Sequence, residues 1–207
     1  MLERIVRVEP TSPMIVLTWM IGSRCNYECV YCPSELHDMT SKHPDFEKLK
    51  KVWDDFYDKT NHLGLPYKIS FTGGEVTANK SFLPLIKYLN DNFNIGQIIV
   101  TTNGSASLNY YQQLSKLVDS LSFSTHSEFF NEKEFFIKVK KINELMIRPK
   151  KSLHVNVMDE WWNQDRTELY KKWLTEHNIS HSVNVVHFNN RHNVILSNKG
   201  VKNIEQI

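Results

Sequence analysis

The whole thiol complement of this 207-residue chain sits between Gly22 and Glu35, as Cys25, Cys29 and Cys32. Soft thiolates grouped in this way hold iron–sulfur clusters or zinc. Three thiolates are one short of a closed tetrahedral site. Either a fourth ligand comes from elsewhere, or one coordination position is left open for a reactant. His37 or His43 would complete a Cys3His zinc site, which would make the chain a structural or interaction module without catalysis. An odd number of clustered cysteines argues for metal or redox chemistry and against a disulfide framework.

Three further stretches combine small, polar and ionisable residues: "FTGGE" (Phe71 to Glu75), "TTNG" (Thr101 to Gly104) and "FSTHS" (Phe123 to Ser127). Each follows or ends an apolar, strand-like run. Strand alternation puts Ser122, Ser124 and His126 on one face and Leu121, Phe123 and Thr125 on the other.

The elements that must position these residues alternate. Strand-like runs cover Met14 to Met20, Tyr67 to Thr72, Gln97 to Thr102, Ser120 to Thr125, Leu153 to Met158 and Val183 to Phe188. Between them lie helical stripes. Leu49 and Trp53 anchor the first, Phe82, Leu85, Ile86 and Leu89 the second, and Leu114 and Leu117 the third, with Asn109 as its cap. Phe135, Val139, Ile142 and Leu145 form the fourth behind an Asn131/Glu134 capping box. Leu169, Trp173 and Leu174 form the fifth behind Asp165/Glu168. About six βα steps predict an α/β protein, a parallel sheet with helices on it. Six steps do not fill an eight-stranded barrel, so the expected form is a partial, open βα barrel. The residues 1–207 read as one domain, with a core at about 14–188 and a polar tail at 189–207. Function in such folds gathers in loops after the C-terminal ends of strands.

The Cys25-x3-Cys29-x2-Cys32 loop, placed directly after a strand, resembles the cluster loop of the radical S-adenosylmethionine (radical SAM) superfamily. The resemblance implies that the three cysteines hold three irons of a 4Fe–4S cluster, leaving the fourth iron for the methionine end of S-adenosylmethionine. Tyr31 matches the aromatic position beside the adenine ring. Gly73, Gly74 and Glu75 match the motif that orients the methionine amine, with glycines admitting close backbone approach. Thr102, Asn103 and Ser124 fall where carboxylate and ribose are contacted. His126 stands in place of an acid and is a candidate for proton donation or substrate contact. The implied reaction is reductive cleavage of S-adenosylmethionine to a 5′-deoxyadenosyl radical that abstracts a substrate hydrogen. It requires an external electron donor such as flavodoxin or ferredoxin. Candidate substrates are a peptide or protein, or a small nucleotide-like molecule. With no cysteine outside the loop, a cysteine-ligated auxiliary cluster is excluded.

A net charge of +2 gives no strong pull toward nucleic acid or membrane. "MLERIVRVEP" lacks a signal-peptide core, and Met14 to Ile21 is too short to span a bilayer, so the expected location is cytoplasmic. Lys138, Lys140, Lys141, Arg148, Lys150 and Lys151 read as a solvated charged face near the rim opposite the chemistry. Trp161 and Trp162 read as cover for an exposed edge or as a stacking wall for a flat substrate, and Arg191 and His192 as placed to meet an anionic substrate.

Overall fold

A computed structural model of the chain describes residues 5–9, 14–33, 37–146, 151–160 and 163–186. Seven strands form one sheet in sequential order: β1 (Ile5–Glu9), β2 (Ile15–Met20), β3 (Tyr67–Thr72), β4 (Ile95–Thr102), β5 (Ser120–Ser124), β6 (Ser152–Asp159) and β7 (Ser180–Val185). From β2 to β7 every neighbouring pair is parallel. The helices α1 (Phe46–Thr60), α2 (Phe82–Asn92), α3 (Leu108–Leu117), α4 (Glu132–Met146) and α5 (Gln164–Glu176) fill the crossovers. This is the open βα arrangement that the alternation predicts. β1 is an addition: it pairs antiparallel with β2, and the polar start of the chain conceals it.

One face of each parallel strand builds the core. Leu17, Trp19, Ile69, Phe71, Val100, Leu121, Phe123, Val155 and Val157 pack with Leu49, Trp53, Leu85, Leu114 and Val139 of the helices. The opposite, inner face is mixed, with Val16, Met20, Ile99 and Met158 among mostly polar residues. One residue per strand across β2 to β7, Thr18, Ser70, Thr101, Ser122, Asn156 and Ser182, lies outside the buried set. At these positions hydroxyls and amides stand where bulky branched residues would pack a closed barrel interior.

The structure corrects several local expectations. Ser107, not Asn109, caps α3, accepting from the Tyr110 N–H (3.2 Å). Asn131 does cap the start of α4, accepting from the Glu134 N–H at 3.1 Å. Before α5 the cap position is Asn163, with no side-chain capping bond, and Asp165 lies in the first turn. Leu145 and Leu169 point outward at 45% and 57% exposure, and Met146 and Tyr170 take the buried positions. In these charged helices a one-residue shift of phase separates the apolar stripe from its neighbour. The last strand begins at Ser180, three residues before the apolar run, because register with β6 runs from His154↔Ser180 to Asp159↔Val185. His187, Phe188, Trp161, Trp162, Arg148, Lys150, Arg191, His192 and the rest of the 189–207 tail lie outside the described residues. Among the described residues no helix is long and apolar enough to cross a membrane.

The basic cluster is not one solvated face. Lys140 and Lys141 are exposed, but Lys151 donates to the Ser115 and Val118 carbonyls (2.5 and 2.9 Å). Lys138 donates to the Gly104 and Ala106 carbonyls (2.6 Å each). Those carbonyls follow β4, on the rim where the chemistry is expected.

Leu121→Ala should lower the unfolding free energy by about 2–5 kcal/mol, the usual cost of truncating a fully buried leucine. Leu145→Ala and Leu169→Ala should each change it by less than about 0.5 kcal/mol. Urea denaturation of the three variants checks the corrected helix phases.

Candidate active site

The cysteine loop leaves β2 and is pinned at its root. Gly22–Arg24 is held from two sides. On one side Cys25 N–H donates to the Asp38 carbonyl (2.8 Å) and Asp38 N–H to the Ser23 carbonyl (2.9 Å). The Asp38 carboxylate accepts from Ser23 Oγ (2.8 Å) and from the Thr40 and Ser41 N–H groups (2.8 and 2.5 Å). These donors, the Ser41 N–H foremost, hold its carboxyl well below the usual range. Arg24 Nη1 donates to the Ser41 carbonyl (2.7 Å).

On the other side lies "GGE". Gly74 N–H donates to the Gly22 carbonyl and Glu75 N–H to the Arg24 carbonyl, each at 3.0 Å. A Cβ on Gly74 would stand 2.1 Å from the Arg24 carbonyl oxygen. A Cβ on Gly73, whose φ is +127°, would stand 2.3 Å from that of Gly22. Both glycines are therefore required by the root of the cysteine loop itself, before any ligand is considered.

Glu75 is 2% exposed. Its Oε1 accepts from the Thr77 N–H (2.9 Å), Thr77 Oγ1 (2.6 Å) and Thr102 Oγ1 (2.7 Å). Its Oε2 accepts from the Asn103 N–H (2.6 Å). Burial pushes the carboxyl upward and these donors pull it back. Tyr111 OH joins Thr102 Oγ1 (2.7 Å) and Thr77 Oγ1 (3.4 Å). Asn103 Nδ2 donates to Asn26 Oδ1 in the cysteine loop (2.9 Å). Glu75 and Thr102, proposed from sequence as cofactor contacts, thus spend their side chains on one another, and Thr101 is the exposed neighbour.

The turn after β5 docks on the thiols. His126 Nδ1 lies 2.5 Å from Tyr31 OH and 3.4 Å from Cys29 Sγ. The two rings stack with centroids 6.0 Å apart. Tyr27 stacks on Phe129 at 5.1 Å, and Val30 N–H donates to Glu128 Oε1 (3.3 Å). Ser127 Oγ donates to Glu160 Oε2, a carboxyl that burial raises. Sequence reasoning missed Tyr27, Glu128 and Glu160, since their partners Phe129, Val30 and Ser127 are roughly 30 to 100 residues away in the chain.

These elements enclose a cavity of about 270 Å³. All the sequence-predicted site residues line it: Cys25, Cys29, Cys32, Tyr31, Gly73 to Glu75, Thr102, Asn103, Ser124 and His126. His37 also lines it and His43 does not. Among the described residues no group of three His, Cys, Asp or Glu side chains is placed to hold a single metal ion. Burial raises all three thiols, Cys32 to about 11 and Cys29 furthest. Thiols so disposed give up protons to a metal that replaces the lost solvation. Tyr27 N–H points at Cys25 Sγ (3.4 Å), the kind of donor that supports a cluster-bound thiolate. Cys25, Cys29 and Cys32 thus all face one cavity, together with the "GGE" backbone and the turn after β5.

Comparison with known proteins decides the family. The model for the radical SAM superfamily matches residues 19–155. The chain belongs to the radical SAM superfamily. Membership implies an enzyme with iron–sulfur and S-adenosylmethionine chemistry. The chain is 36% identical over 80 residues to GTP 3′,8-cyclase of Pasteurella multocida, covering 39% of this chain and 23% of that one. It is 30% identical over 141 residues to a probable GTP 3′,8-cyclase of Methanothermobacter thermautotrophicus, covering 62% and 42%. It therefore spans less than half the length of these relatives. Streptococcus suis SuiB bound to precursor peptide SuiA superposes with a TM-score of 0.59 at 17% identity, over 83% of this chain and 39% of SuiB. SuiB bound to S-adenosylmethionine gives 0.56 at 16% identity, over 91% and 44%. The likeness to SuiB shows a shared fold.

Gly74→Ala should drive a methyl group into the Arg24 carbonyl. After anaerobic reconstitution this variant should hold less iron per chain than wild type and melt at a lower temperature. An iron assay showing full loading would sink this account of the motif.

Burial pulls His126 from 6.5 down to about 4. The folded chain then binds this proton more weakly than the unfolded chain. The contribution is intact above about 6.5 and is lost as pH falls toward about 4. For the metal-free protein, the urea midpoint should drop between about pH 7 and about pH 5, and His126→Asn should shrink that drop.

Proposed function

We propose that this chain is a radical SAM enzyme in which Cys25, Cys29 and Cys32 hold a 4Fe–4S cluster, acting on a small, polar, hydroxyl-bearing substrate of nucleotide-like chemistry. The observation that carries the reading is the single cavity in which the three thiols, the "GGE" backbone and the ends of β4 and β5 meet. When bound, the reduced cluster supplies the electron that splits a carbon–sulfur bond of S-adenosylmethionine and yields the hydrogen-abstracting 5′-deoxyadenosyl radical. An external reductant, a flavodoxin or ferredoxin, fills the electron-donor role.

The chain's own residues bind, orient and shield. Gly73 and Gly74 bring backbone to the cavity wall beside the cysteine loop, where the methionine amine is held. Ser124, 9% exposed and 3.4 Å from Asn156 Nδ2, offers a hydroxyl toward the ribose side. Tyr31 flanks the adenine position. Asn103 presents its turn while tied to Glu75 and Asn26, and Glu75 and Thr102 act as positioning residues. Tyr27 and Phe129 narrow access for water at the loop.

The inner face of the sheet supports a polar substrate. Thr101, Asn103, Ser124 and His126 line the cavity, and behind Ser124 Asn156 Nδ2 donates to Ser122 Oγ (2.8 Å). Hydroxyls, an amide and an imidazole recognise the sugar and base edges of a nucleotide better than an apolar side chain. The GTP 3′,8-cyclase relatives favour the same class. The peptide of the SuiB complex marks the alternative substrate.

Anaerobic reconstitution should load about four irons per chain. With dithionite the product should release 5′-deoxyadenosine from S-adenosylmethionine, and loss of any one cysteine should abolish both properties. Nucleotides should accelerate this release more than peptides do. Stoichiometric zinc with no iron uptake would overturn the reading, and acceleration by peptides alone would overturn the substrate class.

A further inference from the structure

Lys138 lies mid-helix in α4, more than a hundred residues beyond the last cysteine, yet its ammonium reaches the loop after β4. Nζ donates to the Gly104 and Ala106 carbonyls at 2.6 Å each and lies 5.5 Å from the Tyr111 ring centroid. Phe135, one turn earlier, closes the same loop from the side: a Cβ on Gly104, whose φ is +75°, would stand 2.7 Å from its ring. The loop is thus gripped at two carbonyls and one Cα.

Two arms run from this grip to the cavity. In the first, Asn103 precedes Gly104 and contacts Glu75 through its N–H (2.6 Å) and Asn26 through its amide (2.9 Å). Asn103 Oδ1 accepts from the Ser105 N–H (2.9 Å), closing the turn. In the second, Tyr111 lies under the ammonium and joins Thr102 and Thr77, whose hydroxyls both donate to Glu75. Glu75 in turn donates its N–H to Arg24 at the root of the cysteine loop. A lysine offers three N–H donors and no acceptor, which suits two carbonyls and one ring face. A partly buried ammonium is costly unless its donors are all used, and no carboxylate is hydrogen-bonded to it among the described residues.

We propose that Lys138 is a positioning residue for the S-adenosylmethionine cavity, its ammonium fixing the loop 103–107 so that Asn103 bridges Glu75 and the cysteine loop. This rests on the function proposed above. Removing the charge frees two carbonyls to turn toward water and lets Asn103 lose one of its partners. The thiols keep their own anchor at Asp38.

Lys138→Met retains the apolar stem and removes the donors. Compared with wild type and with Lys141→Met, an exposed control on the same helix, the reconstituted Lys138→Met protein should show three results. Iron per chain is unchanged, amide hydrogen exchange is faster within 103–107, and the S-adenosylmethionine Kd rises about tenfold, with KM raised more than kcat lowered. Lys138→Arg, whose fork can still meet two carbonyls, should restore slow exchange and most of the affinity. Unchanged exchange in 103–107 overturns the inference. So does faster exchange across the whole chain with matching loss of iron, which marks a merely structural role, and so does failure of Lys138→Met and Lys138→Arg alike to fold. If wild type itself binds no S-adenosylmethionine, the proposed function falls, and exchange at 103–107 still decides whether Lys138 holds the loop.

Discussion

A buried carboxylate organises the catalytic end of this protein. Glu75 is withdrawn from water at the end of β3, and a carboxylate there is tolerable only if its lone pairs are filled by donors. The donors come from the turn after β3, from the end of β4 and from the loop beyond it. Satisfying one acceptor therefore fixes the relative positions of three chain segments. Because the Glu75 N–H is used on Arg24, the same residue sets the root of the cysteine loop against that assembly. The price of burying the charge is repaid in geometry more than in stability.

Close backbone approach is the second constraint, and it explains the glycines differently from sequence reasoning. Their hydrogens face the carbonyls of Gly22 and Arg24, so the motif first builds the loop that carries the thiols. Whatever a ligand requires of Gly73 and Gly74 is added to a demand the protein alone already makes. The turn after β5 completes the enclosure with His126 and Glu128, placing an imidazole against Tyr31 and Cys29. An imidazole in that position is held neutral by burial, and it meets a thiol because the loop after β2 and the turn after β5 reach toward each other across the same rim.

The inner face of the sheet differs from its outer face for a physical reason. Outer residues must bury apolar area against five helices, which selects Leu, Ile, Val and aromatic side chains. The inner face of an open barrel has no second layer to pack on. Hydroxyls and amides there need no apolar partner and bond to one another across strands, as Asn156 does to Ser122 and His154 to Ser182. Hence the alternation along β5 and β6 carries both the buried core and the polar inner face in one run of residues.

The amino-acid sequence by itself determined the thiol loop, the parallel βα order and the motif residues that line the cavity. Metal coordination demands given residue types at short fixed spacing, and strand–helix alternation is a local periodicity, so both are written in neighbouring residues. Cys25, Cys29, Cys32 and the "GGE" stretch were legible for that reason. Only the tertiary structure decided that Glu75 and Thr102 bond to each other, that Leu145 yields its buried place to Met146, and that Lys138 leaves the solvated face for the carbonyls after β4. Each of these depends on strand register or on which turn of a helix meets a distant loop. Such contacts join residues tens of positions apart, and their energy appears only once the sheet has brought both partners to the same rim.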